Sequence, residues 1–536
     1  MVAVSYFYLL KYVFTLILII RGRMICGSDR ILFCAIIELA GIFFLTEAIR
    51  NAVVRNVIND ILLLLLNAQM LVLLFGGDYI SLVMLTNVDN LSDLSGKFLV
   101  YAFGVAAVLF FSFFPAGRLE FMKPVSVELL AAGLFGELAF TLVCGNMYSP
   151  FFAYVRLIDE AQEAGKVRKE LSEIENCTSY FYRKGVSCVS VDRPEALKEN
   201  PNIVLILTEG LSENIIKDDR SITPNLQEYE KRSVSFENYY NHTFATYRGI
   251  SGQLYSGYQL DNYDSNSLIG IHDILSDHGY NTSFINTEPN LVAFSRYLED
   301  MGFDELISVP GSDYQGQNGS LSDKEAYEKL FSVMEEKSAS GQPYFSVIYT
   351  FGTHASFDSP DEKYGDGSVA ELNKFYNMDY QFGSFMKRFD ESPVSDNTII
   401  VFTADHATYA DLYYNDAFPD YVRENPQLDQ IPLFIYHKGV QPQVLDANGR
   451  NSLDLTSTIL DYIDINAPNY FLGASLFHDA DNYNNMDRIF TSSTKCFSSE
   501  NAVIRELNDS EEETAIVAEL LKNYFAAKMQ YPEVPD

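Results

Sequence analysis

The 536-residue chain has no tryptophan, only seven histidines and six cysteines, and its 38 lysines and arginines face 72 aspartates and glutamates. The shortage of positive charge excludes a nucleic-acid role, which needs a basic footprint. It also excludes simple electrostatic adhesion to anionic lipid. Any phosphate chemistry must then draw positive charge from a metal or from a few local cations. The cysteine spacing fits no cysteine-ligated zinc site. Internal repeats and low-complexity tracts are missing too, so no repeat architecture is expected.

What is present divides into two regions. Residues 1–150 hold 9 basic and 10 acidic side chains, a net of −1, so residues 151–536 carry −33 of the total −34. Apolar runs over residues 4–20, 31–46, 61–75, 98–114 and 127–143 each approach the ~20 residues that span a bilayer. Five spans are expected, with residues 79–86 too short to cross and placed at the interface. No small-residue cleavage site follows Ile20; Arg21 and Arg23 follow instead, so the first run reads as a retained helix. Arg50, Arg55, Arg118 and Lys123 suit the inside, which puts the amino terminus inside and the large domain outside. Arg21, Arg23 and Arg30 run against that rule. Glu38, Glu47, Asp60 and Glu137 lie in or beside the apolar runs, where acids are functional candidates by default and a headgroup-level position is the competing explanation. Cys177 and Cys188 either close a short loop in an oxidising compartment or stay free thiols. The expected domains are a transmembrane domain over residues 1–150, a linker helix and connector over 151–199, a catalytic domain over 200–484 and an extension over 485–536.

Beyond residue 200 strand and helix patterns alternate. NIVLILTEG is a buried strand. TPNLQEYEKRS is a helix with Thr223 placed to cap it and Pro224 at its first position. SVSFENYYN is a strand, and helix–strand pairs follow. This alternation predicts an α/β domain with a mostly parallel central sheet. Sites in such sheets form at the carboxyl ends of the strands. There the first strand delivers Glu209, YFSVIYTFG runs into Thr353 and His354, and TIIVFTADHATY stops on Asp405 and His406. Adjacent strand residues point to opposite faces, so Asp405 and His406 share one site only if the strand ends there. Each residue alone reads as a turn or cap; together they offer carboxylate and imidazole ligands for a divalent metal. Between them lies NHTFATYRG, residues 241–249, at a strand-to-helix junction whose amide donors favour a phosphate. Thr246 is a candidate nucleophile there if a metal lowers its pKa. Thr243 is its rival, and a plain helix cap is the alternative role.

The order strand-Glu, TPNL, Thr-bearing helix start, strand-His, strand-Asp-His resembles the alkaline phosphatase/sulfatase superfamily. More narrowly it is similar to the membrane-bound phosphoglycerol and phosphoethanolamine transferases, of which lipoteichoic acid synthase is the best-known type. The resemblance covers the five-span front and residues 200–478, including IPLFIYHKG, LDLTSTILDYIDINAP and LGASLF. It implies one divalent metal, manganese with magnesium or zinc as alternatives, held by Glu209, Thr246, Asp405 and His406. It implies Thr246 as the nucleophile of a phospho-enzyme and His354 at the substrate phosphate or leaving group. The family's substrate-binding arginine has Arg296 as its candidate, with a shorter spacing to Gly302 than in the type enzyme. Phe294 stands in for that enzyme's tryptophan. Arg248 is a second candidate phosphate contact, from local reasoning.

A sulfatase would carry Cys or Ser in a C-x-P-x-R setting, where this chain has Thr246-Tyr247-Arg248-Gly249. A two-zinc phosphatase needs a second Asp/His set, which seven histidines do not provide. The implied function is transfer of sn-glycerol phosphate from phosphatidylglycerol to an envelope glycan or lipid-linked acceptor. The implied place is the bacterial cytoplasmic (inner) membrane, multi-pass, with the catalytic domain on the extracytoplasmic side. A phosphoethanolamine transferase using phosphatidylethanolamine, a phosphodiesterase or sulfatase-like hydrolase, and a silent glycan-binding member stay open.

Overall fold

The computed structural model describes residues 2–26, 28–76, 78–86, 98–114, 126–175, 177–186, 197, 199–262, 264–312, 319–354, 357–423, 425–478, 483–492, 495–507 and 512–531. They fall into two compact units. One is built on Met1–Val88, Lys97–Val167 and Ala410–Asp416, the other on Arg168–Tyr409 and Ala417–Asp536.

In the first unit all five apolar runs are helical: Val2–Cys26, Asp29–Ala48, Ala52–Gly76, Phe98–Ser112 and Ser126–Cys144. Three are long and apolar enough to cross a membrane, over Asp29–Ala48, Ala52–Phe75 and Val127–Cys144. Leu99–Ser112 is shorter than the expected span over 98–114. At 1.5 Å per residue the 15-residue helix Phe98–Ser112 reaches about 22 Å, less than the ~30 Å of a hydrocarbon core. The first helix is interrupted chemically by Lys11, whose buried ammonium pairs with Asp60 at 2.9 Å. Leu63, Leu66 and Met70 pack with Tyr8 and Ile42 in the unit's apolar core. The helix Pro150–Ser172 matches the linker expectation, and its first eighteen residues, to Val167, belong to this unit.

The second unit is organised by an eight-stranded sheet: β1 Asn202–Thr208, β2 Val234–Glu237, β3 Asn281–Asn286, β4 Glu305–Ser308, β5 Tyr344–Thr350, β6 Thr398–Ala404, β7 Leu433–Tyr436 and β8 Gln443–Asp446. Their spatial order is β4-β3-β5-β1-β6-β7-β2-β8. Only β7 runs against its neighbours; every other pairing is parallel. The central strands β5, β1 and β6 are buried along their length, apart from Asn202 at the entry to β1. That is why they read as continuous β-branched and apolar runs rather than alternating ones. Because these three are adjacent and parallel, their carboxyl ends open on one edge. The segment after β2 reaches the same edge, since two antiparallel pairings restore the direction of β6.

The helix starting at Pro224 forms as expected, over Pro224–Lys231 with Thr223 at its N-cap, but the Thr223 side chain makes no cap bond. Asp379, from the helix Ala370–Glu391, accepts from the Leu226 N–H at 2.7 Å and the Asn225 N–H at 3.0 Å instead. A charged acceptor at a helix start is a stronger partner than a hydroxyl. The proposed Cys177–Cys188 bridge lies outside the described residues, because Cys188 does.

The described residues of 485–536, the expected C-terminal extension, fall in this unit. They form an antiparallel sheet of β9 Ile489–Thr491, β10 Cys496–Ser498 and β11 Arg505–Glu506, then the helix Glu512–Lys528. The fully buried Tyr524 packs edge-on against Phe181 at 5.3 Å, and Lys528 ends the helix in an ion pair with Asp264 at 2.9 Å. Truncating a buried aromatic removes its transfer energy and leaves a cavity. Tyr524→Ala is therefore expected to cost about 3 kcal/mol, read as a lowered midpoint of thermal unfolding; an unchanged midpoint would show the helix to be a detached tail.

Candidate active site and metal pocket

Strand β6 stops at Ala404, and Asp405 and His406 leave it together. Glu209 follows the end of β1 in the same way, its N–H bonded to Thr350 O of β5 at 2.9 Å. The next residue, Gly210, has φ +48, and its N–H donates to Asp405 Oδ1 at 2.8 Å. The His406 N–H donates to the same oxygen at 2.7 Å. Asp405 is thus fixed by backbone donors through one oxygen. Its other oxygen, Oδ2, is buried and has no hydrogen-bond partner. Ligand atoms of Glu209, Asp405 and His406 all lie within 4.8 Å of one another, and all three residues are buried. The His406 imidazole is aligned by Nδ1 on Ala407 O at 2.8 Å, which presents Nε2 at 3.4 Å from Glu209 and 3.5 Å from Asp405.

Thr246 joins this group as the first residue of the helix Thr246–Tyr255, and its hydroxyl donates to Glu209 Oε2 at 2.9 Å. Two features put it there. Ala245 has φ +87 and ψ 143, a region that costs a non-glycine residue on the order of 1–3 kcal/mol. Gly249 lets the helix pass so close to β6 that a Cβ would lie 2.3 Å from Asp405 O. One turn on, the Gln253 amide donates to Ala404 O at 3.0 Å and Asp405 O at 3.1 Å, anchoring the helix on the strand end. Thr243, the rival, donates its hydroxyl to Thr491 O at 3.1 Å.

Sequence reasoning placed Thr353 at its strand end without assigning it a role, and missed the other supporting groups. The Tyr349 hydroxyl donates to Glu209 Oε2 at 2.5 Å, and Thr353 donates to Glu209 O at 2.5 Å. Phe244 covers His406 at 4.5 Å between rings. Ser212 and Thr408 exchange backbone-to-hydroxyl bonds at 3.1 and 3.0 Å, and Arg423 donates to Ser212 Oγ and to Thr408 O. Tyr349 gave no signal because a buried strand tyrosine reads as core. The others lie on loops whose pairing no spacing rule reveals.

The remaining candidates separate. His354 lies near enough to influence Glu209 electrostatically, and its Nδ1 is buried without a partner. Phe294 is buried against Tyr247 at 5.5 Å and Tyr349 at 5.6 Å, forming the aromatic wall beside Glu209. Arg296 points to solvent on the helix Val292–Glu299. Arg248 is buried, and burial depresses its guanidinium while Asp261 and Asp264 answer its charge. Neither arginine has a hydrogen bond to Thr246 or Glu209 among the described residues.

The electrostatics suit a cation. Burial opposes the charge on Glu209, but His406, His354 and the Tyr349 hydroxyl hold its carboxyl well below the ordinary range. Burial, then the Glu209 charge, pushes Asp405 up to about 8. Burial disfavours the His406 imidazolium, yet Asp405 and Glu209 raise it to about 9. An unpartnered buried carboxylate oxygen beside a second carboxylate, an imidazole and a hydroxyl is a donor set that fits one hard or borderline divalent ion.

Fold and site together give an α/β domain with a candidate metal pocket and a threonine hydroxyl at the carboxyl edge of its sheet. Residues 201–465 match the sulfatase family model. A Bacillus subtilis (strain 168) protein described as lipoteichoic acid synthase-like YvgJ is 24% identical over 306 residues, 49% of this chain and 47% of the relative. The chain thus spans about half the length of that curated relative. An alkaline phosphatase superfamily protein from Vibrio parahaemolyticus is 21% identical with a TM-score of 0.51, covering 65% of this chain and 90% of its own. The lipoteichoic acid synthase LtaP from Listeria monocytogenes is 17% identical with a TM-score of 0.50, covering 66% and 95%. Both likenesses lie in the fold.

Two predictions follow from this geometry. Ala245→Gly relieves the positive φ and is expected to raise stability by about 1 kcal/mol, seen as a higher unfolding midpoint; a lower midpoint would show that Ala245 is unstrained. The second concerns pH. The raised values of Asp405 and His406 mean that the metal-free pocket keeps protons at neutral pH, a contribution to stability that is lost as pH rises through about 8 and 9. Metal needs the deprotonated forms. The thermal stabilisation by manganese over a chelator control is therefore expected to grow from pH 6 to pH 9; a shift that shrinks with pH would contradict the pocket.

Proposed function

We propose that this protein is a metal-dependent phosphotransferase that works at a membrane. On this reading it transfers sn-glycerol phosphate from phosphatidylglycerol to an envelope glycan or lipid-linked acceptor. The observation that carries it is the Thr246 hydroxyl, set at a helix start 2.9 Å from a carboxylate of the buried Glu209–Asp405–His406 group. Glu209, Asp405, His406 and Thr246 would hold the ion, and a bound divalent ion there supplies Lewis acidity to oxygens it touches.

Thr246 Oγ1 passes its proton to the Glu209 carboxylate it already bonds and forms a bond to the headgroup phosphorus, while the bond from phosphorus to the diacylglycerol oxygen breaks. The leaving oxygen takes a proton, with His354 as the nearby imidazole donor. In the second half the acceptor hydroxyl attacks the same phosphorus and Thr246 leaves. Phe244 and the Phe294–Tyr247–Tyr349 wall exclude water from the carboxylate side, which strengthens each polar contact inside. The apolar helices fit a multi-pass protein of the bacterial cytoplasmic membrane with the catalytic domain outside. The domain reading is residues 1–150 in the membrane, 151–199 as connector, 200–484 catalytic and 485–536 packed onto it.

Purified full-length protein with manganese and headgroup-labelled phosphatidylglycerol is expected to show a glycerophosphoryl adduct on Thr246 by mass. Phosphatidylethanolamine is the contrasting donor, and an adduct from it alone would move the reading to phosphoethanolamine transfer. No adduct from either lipid, in the wild type and in His354→Ala alike, would sink the two-step scheme. Thr246→Ala is expected to lower turnover by roughly three orders of magnitude or more, as loss of a nucleophile does.

A further inference from the structure

The apolar unit brings together a second set of metal-binding side chains, independent of the sheet-edge pocket. Cys34 and Glu38 are four residues apart on the helix Asp29–Ala48 and so share one face. Glu137 comes to them from the helix Ser126–Cys144, and one ligand atom from each of the three lies within 4.8 Å of the others. Cys34 is 1% exposed and Glu38 3%. Glu38 Oε1 accepts from the Ser149 hydroxyl and from the Phe151 N–H, which orients the carboxylate. Its other oxygen, Oε2, is buried and has no hydrogen-bond partner.

No lysine, arginine or histidine pairs with Glu38 or Glu137 among the described residues. The same unit shows what a matched buried charge looks like, in the Lys11–Asp60 pair. Two carboxylates side by side in an apolar bundle, without a cation, face a desolvation penalty of several kcal/mol per ion. Their position asks for a positive charge that no described side chain supplies. The thiol decides which kind. Calcium and magnesium take oxygen ligands, whereas a sulfur beside carboxylates selects a borderline transition metal.

We propose that Cys34, Glu38 and Glu137 bind a divalent transition metal of the zinc type, fastening the helix Asp29–Ala48 to the helix Ser126–Cys144. Binding releases the Cys34 thiol proton and any proton held by the acids.

Cobalt distinguishes this site, because of the two candidate ligand groups among the described residues only it offers a sulfur. The full chain in detergent, carrying Glu209→Gln and Asp405→Asn to silence the sheet-edge pocket, is titrated with Co2+. One cobalt per chain and a near-ultraviolet thiolate-to-cobalt absorption are expected, and Zn2+ should bleach the band. Cys34→Ser should abolish it, and Glu38→Gln should lose the metal. If Glu38→Gln does not fold, Cys34→Ser alone reads the band. No bound cobalt in the silenced, monodisperse protein, or a band that survives Cys34→Ser, would overturn the proposal and leave the acids holding protons only.

Discussion

Two carboxylates, Glu209 and Asp405, are buried within reach of each other and of His406, and much of the second unit can be understood as the means of holding them there. Like charges in a low-dielectric interior repel, and each pays a desolvation penalty besides. Backbone donors from Gly210 and His406 satisfy one Asp405 oxygen, and the Tyr349 and Thr246 hydroxyls satisfy Glu209. What they leave is the unpartnered Asp405 Oδ2 and a pocket biased toward a cation. Three adjacent parallel strands make that crowding possible, since they deliver their terminal residues to one edge whatever the sequence distance between them.

The second constraint is placement of Thr246. A threonine at a helix start finds backbone donors on its own, but nothing local brings it to Glu209. Ala245 holds a strained dihedral, Gly249 admits the backbone of Asp405, and Gln253 hooks the helix onto the end of β6. Strain of this kind persists only where surrounding contacts overdetermine the turn. The anchors are spread over residues 245–253 and 404–405, so the position of one hydroxyl depends on a whole helix being seated correctly.

The apolar unit repeats the theme in a different solvent. Lys11 answers Asp60, whereas among the described residues Glu38 and Glu137 have a thiol and no cation beside them. In both units the informative observation is a buried carboxylate oxygen, Asp405 Oδ2 or Glu38 Oε2, that lacks a hydrogen-bond partner.

The α/β class and the parallel sheet were legible in sequence, because a buried strand has a distinctive apolar run, and the polar residues just past the ends of β1 and β6, Glu209, Asp405 and His406, stood out because they interrupt such runs abruptly. The five apolar runs were legible as helices for the same reason, though the fourth came out shorter than its span of apolar residues implied. Thr223 was legible as an N-cap position, while its role passed to Asp379, some 150 residues away in the chain, because a carboxylate arriving through packing outcompetes a local hydroxyl. Arg248 and Arg296 were both phosphate candidates in sequence, and only the structure shows that one is buried near Asp261 and Asp264 and the other exposed. The sequence by itself determined which residues end the strands and start the helix. Only the tertiary structure decided which of them meet, and that Tyr349, Gln253 and Arg423 hold them, because hydrogen bonds between distant segments depend on strand order and register, which leave no periodic trace along the chain.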